Sequence, residues 1–199
     1  MPSTIGKAIR KVDQLINLGD IQKAIKIIDK TVIKEGINKE EELRLLVFKS
    51  SIKLLEGNFQ ESIQIANDIL KENKKLGNKL IQAEAFAWLA GSYLYCNMQS
   101  ECKESVKKRM NLIPIIPNSN RKIIAESMLL YWKAATFYYT GDIERGLEVI
   151  KISISKAEES GNKFYMGNHY INGSTYYLAL NDERNCLELF KKGEKLAKE

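Results

Sequence analysis

Few side chains in this sequence could do chemistry, and none stands at the spacing that chemistry needs. Any Ser/His/Asp or Cys/His arrangement would have to use the single histidine, His169, which sits between Asn168 and Tyr170 in a helix-like stretch. Three cysteines, Cys96, Cys102 and Cys186, form an odd set without metal-type spacing, and they read as small packing residues of a reducing compartment. The paired carboxylates Glu40-Glu41-Glu42 and Glu158-Glu159 fall at the ends of periodic stretches. At an N-terminus such as that of Glu40, the helix dipole already accounts for them. Glycines occur singly, so no phosphate-cradling loop is present. These residues predict a chain that is not an enzyme and carries no metal and no cofactor.

Charge narrows the partners. The formal net charge is +6, but only six of the 31 basic residues are arginine, the side chain suited to gripping phosphate with two parallel bonds. Lys23, Lys26, Lys30 and Lys34 lie opposite Ile21, Ala24, Ile25, Ile28 and Val32 on one amphipathic helix, as a solvated face does. The nearest approach to a basic patch is Lys103, Lys107, Lys108 and Arg109, offset by Glu101 and Glu104. Nucleic acid is therefore a secondary reading. No apolar run is long enough to cross a bilayer, and the first residues lack the apolar stretch of a secretory signal; the expectation is a cytoplasmic protein.

The elements that would position any site are set by repetition. Five turns, Gly19, Gly57, Asn97, Gly141 and Asn181, are each followed five residues later by a small residue: Ala24, Ser62, Cys102, Gly146 and Cys186. Their spacings of 38, 40, 44 and 40 residues are those of stacked helical hairpins. Between them lie a second set of breaks, Gly36, Gly77, Pro117-Asn118-Ser119-Asn120 and Gly161, with Gly-Asn-Lys at 77–79 returning at 161–163. Apolar residues recur at three and four throughout, as in Leu45, Phe48, Ile52 and Leu55, and strand alternation is absent. Of the three prolines, Pro2, Pro114 and Pro117, the last two make residues 112–117 the one irregular connection. The pattern predicts one domain over 1–199 with hairpins at about 4–35, 39–76, 79–112, 119–160 and 163–198. The individual helices fall at 4–18, 20–35, 39–56, 59–76, 79–96, 99–112, 119–140, 143–160, 163–180 and 183–198.

Within the hairpins, Phe86, Leu89, Ala90 and Tyr93 precede Asn97 and Cys102. Leu130, Ala134 and Phe137 precede Gly141-Asp142 and Gly146; Tyr170, Ser174 and Tyr177 precede Asn181-Asp182 and Cys186. This series resembles the tetratricopeptide repeat, in the variant with helices longer than the usual 34-residue unit allows. The second hairpin keeps Ser50, Gly57-Asn58 and Ser62 but has Lys53 at an aromatic position, and the first has Val12 for a small residue. The resemblance implies an all-α, right-handed superhelical solenoid of five antiparallel hairpins, a scaffold for protein–protein interaction that binds a peptide or helix on its concave face. It places exposed concave positions at Arg44, Val47 and Ser51, at Glu84, Ala87 and Gly91, at Met128, Tyr131 and Ala135, and at Asn168, Ile171 and Thr175. Phe48, Trp88, Trp132 and Asn172 adjoin them. From these the candidate partner-binding residues are Arg44, Phe48, Glu84, Trp88, Met128, Tyr131, Asn168 and Asn172. The competing reading of Trp88 and Trp132 is core. The lysine-arginine-asparagine clamp of chaperone-tail binders is not in register. A helical-repeat RNA-binding protein is the alternative function, distinguished by a steep dependence of affinity on salt. Leu187, Leu189, Phe190 and Leu196 on the final helix predict self-association through the C-terminal hairpin unless its lysines make that face polar enough.

Overall fold

The five turns share one backbone conformation, and that conformation builds the fold. In the computed structural model, which describes residues 4–198, Gly19, Gly57, Asn97, Gly141 and Asn181 all have φ between +57° and +82°. Each closes its helix in the same way. The residue after the turn donates its N–H back to the carbonyl five positions earlier, as Asp142 does to Phe137 at 3.0 Å, and the turn residue donates to the carbonyl three back, as Gly141 does to Tyr138 at 3.1 Å. The small residue five after each turn then makes the first regular bond of the next helix, Gly146 N–H to the Asp142 carbonyl at 3.0 Å for example. Side chains cap the other starts: Asn38 accepts from Glu41 N–H, Asn78 from Leu80 and Ile81, Ser119 from Lys122, and Asn162 from Tyr165.

The result is an all-α chain, without strand among the described residues. Its helices are α1 (Thr4–Asn17), α2 (Ile21–Val32), α3 (Lys39–Leu55), α4 (Phe59–Leu76), α5 (Lys79–Tyr95), α6 (Gln99–Leu112), α7 (Asn120–Tyr139), α8 (Ile143–Ser160), α9 (Lys163–Ala179) and α10 (Glu183–Lys198). They pair as five antiparallel hairpins at the expected boundaries. One end differs: α2 stops at Val32, not near residue 35. There Thr31 Oγ bonds the Ile27 carbonyl at 2.6 Å and the β-branched run Thr31-Val32-Ile33 follows, both of which work against a further turn. Pro2 lies outside the described residues.

A single domain over 1–199 is the expectation; the chain divides into two compact units, Met1–Leu112 and Ile113–Glu199. The division falls at the proline segment, where Ile113–Ile115 forms a short 3-10 turn. In the first unit α3 packs on α1 and α2, and α5 packs on α3 and α4; in the second, α9 packs on α8 and α7.

Small residues, with Val12 the exception, stand at the crossing of each hairpin. The pair seven before and five after the turn is Val12/Ala24, Ser50/Ser62, Ala90/Cys102, Ala134/Gly146 and Ser174/Cys186; all but the half-buried Cys186 are buried. At Gly146 a Cβ would lie 2.6 Å from the ring of buried Tyr176, so nothing larger fits. Helices pack closest where side chains are slimmest. Two turns further from the loop, the same register brings together Ser127 with Ser153 and Gly167 with Gly193, pairs that the turn-centred pattern does not single out.

Candidate functional site

Each unit holds a buried polar cluster where a small pair meets the next first helix. In the first, Ser50 Oγ donates to the Ser62 carbonyl (3.1 Å), Ser62 Oγ to the Ser50 carbonyl (2.9 Å), and Ser92 of α5 to Ser62 Oγ (2.9 Å). In the second, Ser153 Oγ donates to the Ser127 carbonyl at 2.8 Å, and Ser127 Oγ lies 2.7 Å from Nε2 of His169 on α9. The Tyr131 ring stacks on the imidazole at 4.9 Å between centroids, with Tyr165 edge-on at 6.4 Å. His169 is 1% exposed. Burial holds its pKa down to about 3, with Ser127 opposing weakly, so the ring is neutral; Nδ1 has no hydrogen-bond partner among the described residues. A Ser–His contact of this length could activate a hydroxyl, but both groups are buried and no carboxylate bonds Nδ1 among the described residues. The pair ties α7, α8 and α9 together.

The expected concave positions divide by exposure. Arg44 and Phe48 on α3, Glu84 on α5, Tyr131 on α7, and Asn168 and Asn172 on α9 are half-buried, with surface left to offer. Trp88 and Met128 are buried, as are Val47, Ser51, Ala87, Gly91 and Trp132, so the expectation of exposed groove residues is not met there. The reason is packing. α5 packs on α3, and Val47 of α3 is 3% exposed. Asn172 directs its amide N–H to the Asn168 carbonyl at 2.8 Å, which leaves that donor committed to its own helix.

On the opposite side of α5 from Glu84 and Trp88, a cleft of about 300 Å³ opens between α4 and α6. Phe86, Leu89 and Tyr93 line it together with Lys74, Glu104 and Lys108. Lys108 pairs with Glu104 at 2.7 Å and stands over the Phe86 ring at 5.8 Å. Arg109 is 2% exposed, so the basic run of α6 does not assemble into a patch. No cluster of three His, Cys, Asp or Glu residues that could hold a metal occurs among the described residues. No described helix is long and apolar enough to cross a membrane.

Paired helices in a repeating register, with accessible side chains spread along first helices, define a helical-repeat protein. Solved structures that it resembles include tetratricopeptide-type repeats. A STAND signal-transduction ATPase with a tetratricopeptide repeat sensor from Pyrococcus horikoshii aligns with a TM-score of 0.63 and 15% identity. The match covers 96% of this chain and 29% of that one. A putative kinesin light chain with nearly identical TPR-like repeats from Podosopora anserina aligns with a TM-score of 0.55 and 12% identity, over 98% of this chain and 96% of that one. A single-substitution form of the same protein aligns equally well. The chain spans less than a third of the STAND protein. No protein-family profile and no curated protein matches the sequence. The fold is therefore a tetratricopeptide-like helical repeat.

Proposed function

We propose that this protein is a non-catalytic scaffold that holds a peptide or helix of a partner protein against the accessible residues of its first helices. The observation that carries the reading is in the first unit. Arg44 and Glu84 occupy the same repeat position on packed neighbours α3 and α5, and Phe48 lies one turn beyond Arg44. Opposite charges beside a half-buried aromatic suit a peptide that offers polar backbone and one apolar side chain: the ring supplies area, and the charges fix register. In the second unit Tyr131, Asn168 and Asn172 give a similar mixture of aromatic and amide groups. Neutral sealed histidine, unclustered cysteines and scattered carboxylates support a role without catalysis, and the dispersed basic residues of α6 favour protein over RNA.

The test is affinity capture from native lysate with the wild-type chain and with an Arg44→Glu/Phe48→Ala double variant, each with and without nuclease. A protein captured by the wild type, retained after nuclease and lost with the variant supports this reading. Capture that nuclease abolishes, or that the double substitution leaves unchanged, overturns it. Circular dichroism confirms that the variant remains folded.

A further inference from the structure

The cleft between α4 and α6 has a counterpart in the second unit, and the polar groups of the two are treated differently. Residues 84 apart hold the same place in the repeat, since Gly57 answers to Gly141 and Asn97 to Asn181. At the cleft's counterpart positions on α8, α9 and α10, every charged or amide group is engaged. Tyr170 donates to Glu158 at 2.6 Å, Lys151 stands over the Tyr177 ring at 5.5 Å, Asn185 donates to Asp182 at 2.6 Å, and Lys192 pairs with Glu188 at 2.9 Å. The other positions are apolar or glycine: Ile154, Met166, Gly173 and Leu189. In the first unit only one of these pairings recurs, Lys108 with Glu104. Lys74 stands where Glu158 does, but the counterpart of Tyr170 is Phe86, which has no hydroxyl. Asn67 replaces Lys151, Gln82 replaces Met166, Glu101 replaces Asn185 and Ser105 replaces Leu189. The side chains of Asn67, Lys74, Gln82, Glu101 and Ser105 line the cleft and make no hydrogen bond or ion pair among the described residues. Ser105 is only 5% exposed, and a hydroxyl buried to that degree costs stability unless something bonds it.

The placement of these groups narrows the occupant. α4 and α6 do not touch, whereas α3 and α5 pack, and Phe86 and Tyr93 of α5 stay half-buried. Gln82, Phe86, Leu89 and Tyr93 recur at helical spacing, so they share one face of α5. From Gln82 to Tyr93 the helix rises about 16 Å, the length of about five residues of extended chain. Lys74 lies three residues before the turn at Gly77, and Glu101 lies four after the turn at Asn97. The unpaired cation and the unpaired anion therefore stand at opposite ends of α5. Asn67, Gln82 and Ser105 add donors and acceptors of the kind that bond a peptide backbone, and the rings of Phe86 and Tyr93 offer area to one apolar side chain. A uniformly acidic or uniformly basic segment would meet a like charge at one end.

We infer that this cleft is a second peptide site, separate from the first-helix surface proposed above. It takes a short extended segment of a partner protein, with a carboxylate towards Lys74, a base towards Glu101 and one aromatic or aliphatic side chain between them. A displayed library of random heptapeptides, panned on the whole chain and counter-selected on Asn67→Trp, tests it. Asn67 is exposed, so the larger ring obstructs the cleft without entering the core. Recovered peptides should carry an acid and a base about four positions apart around an apolar residue. Lys74→Glu and Glu101→Lys should each weaken a recovered peptide about two- to fivefold. The double exchange should restore binding to the same peptide with its acid and base swapped. Arg44→Glu/Phe48→Ala should leave binding unchanged, which separates this site from the one on the first helices. No peptide selective for the wild type, selected peptides without the paired charges, or binding indifferent to Lys74 and Glu101 would overturn the inference. So would a small molecule that native mass spectrometry finds on the wild-type chain and not on Asn67→Trp. Circular dichroism of each variant separates a blocked cleft from loss of fold.

Discussion

Titration of His169 should be visible in the stability of the second unit, and its size follows from burial alone. The ring is neutral in the fold, with a pKa held down to about 3, against about 6.5 in an unfolded chain. Because the folded value is the lower one, the unfolded state binds the proton first. The contribution of the neutral ring is fully present above pH 6.5 and is lost as pH falls from there towards 3. Inside that window stability should fall by about 1.4 kcal/mol per pH unit, which amounts to about 2 kcal/mol at pH 5. At pH 5 the figure is set almost wholly by the unfolded pKa, so it holds for any folded value below about 4. The carboxylates that the fold holds below their ordinary range, among them Asp20 beside Lys23 and Glu104 beside Lys108, respond only at lower pH, and there is no second histidine.

The two tryptophans make the measurement specific, since Trp88 lies in the first unit and Trp132 in the second. In a Trp88→Phe background, urea denaturation followed by Trp132 fluorescence at pH 8 and pH 5 should show the loss, and His169→Gln in that background should abolish most of it while lowering stability at pH 8. Equal pH dependence with and without the histidine would refute the argument, and with it the view that Ser127, Tyr131 and Tyr165 seal the imidazole.

Other outcomes follow from the close approaches. Ala90→Leu and Cys102→Phe, at a buried small pair, should each cost about 1–3 kcal/mol by overpacking, seen as a lower melting temperature. Gly146→Ala should destabilise by a similar amount, about 1–3 kcal/mol, because the added Cβ meets Tyr176 at 2.6 Å; Gly167→Ala, whose Cβ meets nothing nearer than 3.7 Å, should stabilise α9 by about 0.5–1 kcal/mol in the same assay. Asn97→Gly should raise stability by up to about 1 kcal/mol, since residue 97 sits at φ +59° where glycine is freer. Burial pushes the Cys102 thiol up to about 11, so timed iodoacetamide labelling at neutral pH should modify it only on unfolding.

What was legible in the sequence is what local backbone chemistry determines. A left-handed turn residue, the cap that follows and a small residue five further on are consequences of a few neighbouring side chains, so all ten helices fall near their expected ends. Even Asn97 and Asn181 hold the glycine-like conformation their register demanded. Surface exposure is not local. Trp88 and Met128 occupy positions that resemble groove contacts in one hairpin viewed alone, yet each is buried once its neighbours pack. His169 reads as an isolated histidine because its partner, Ser127, is 42 residues away, one repeat back. A signal for it did exist: Ser127 and Ser153 stand 14 before and 12 after Gly141, the crossing register displaced by two helical turns. A repeat constrains side chains twice, through the hairpin that closes at its own turn and through the neighbour that packs against it. Periodicity within one unit exposes the first constraint; only comparison across units exposes the second. Leu178 and Phe190 show the consequence, since they stay exposed in a hairpin on which no further described helix packs.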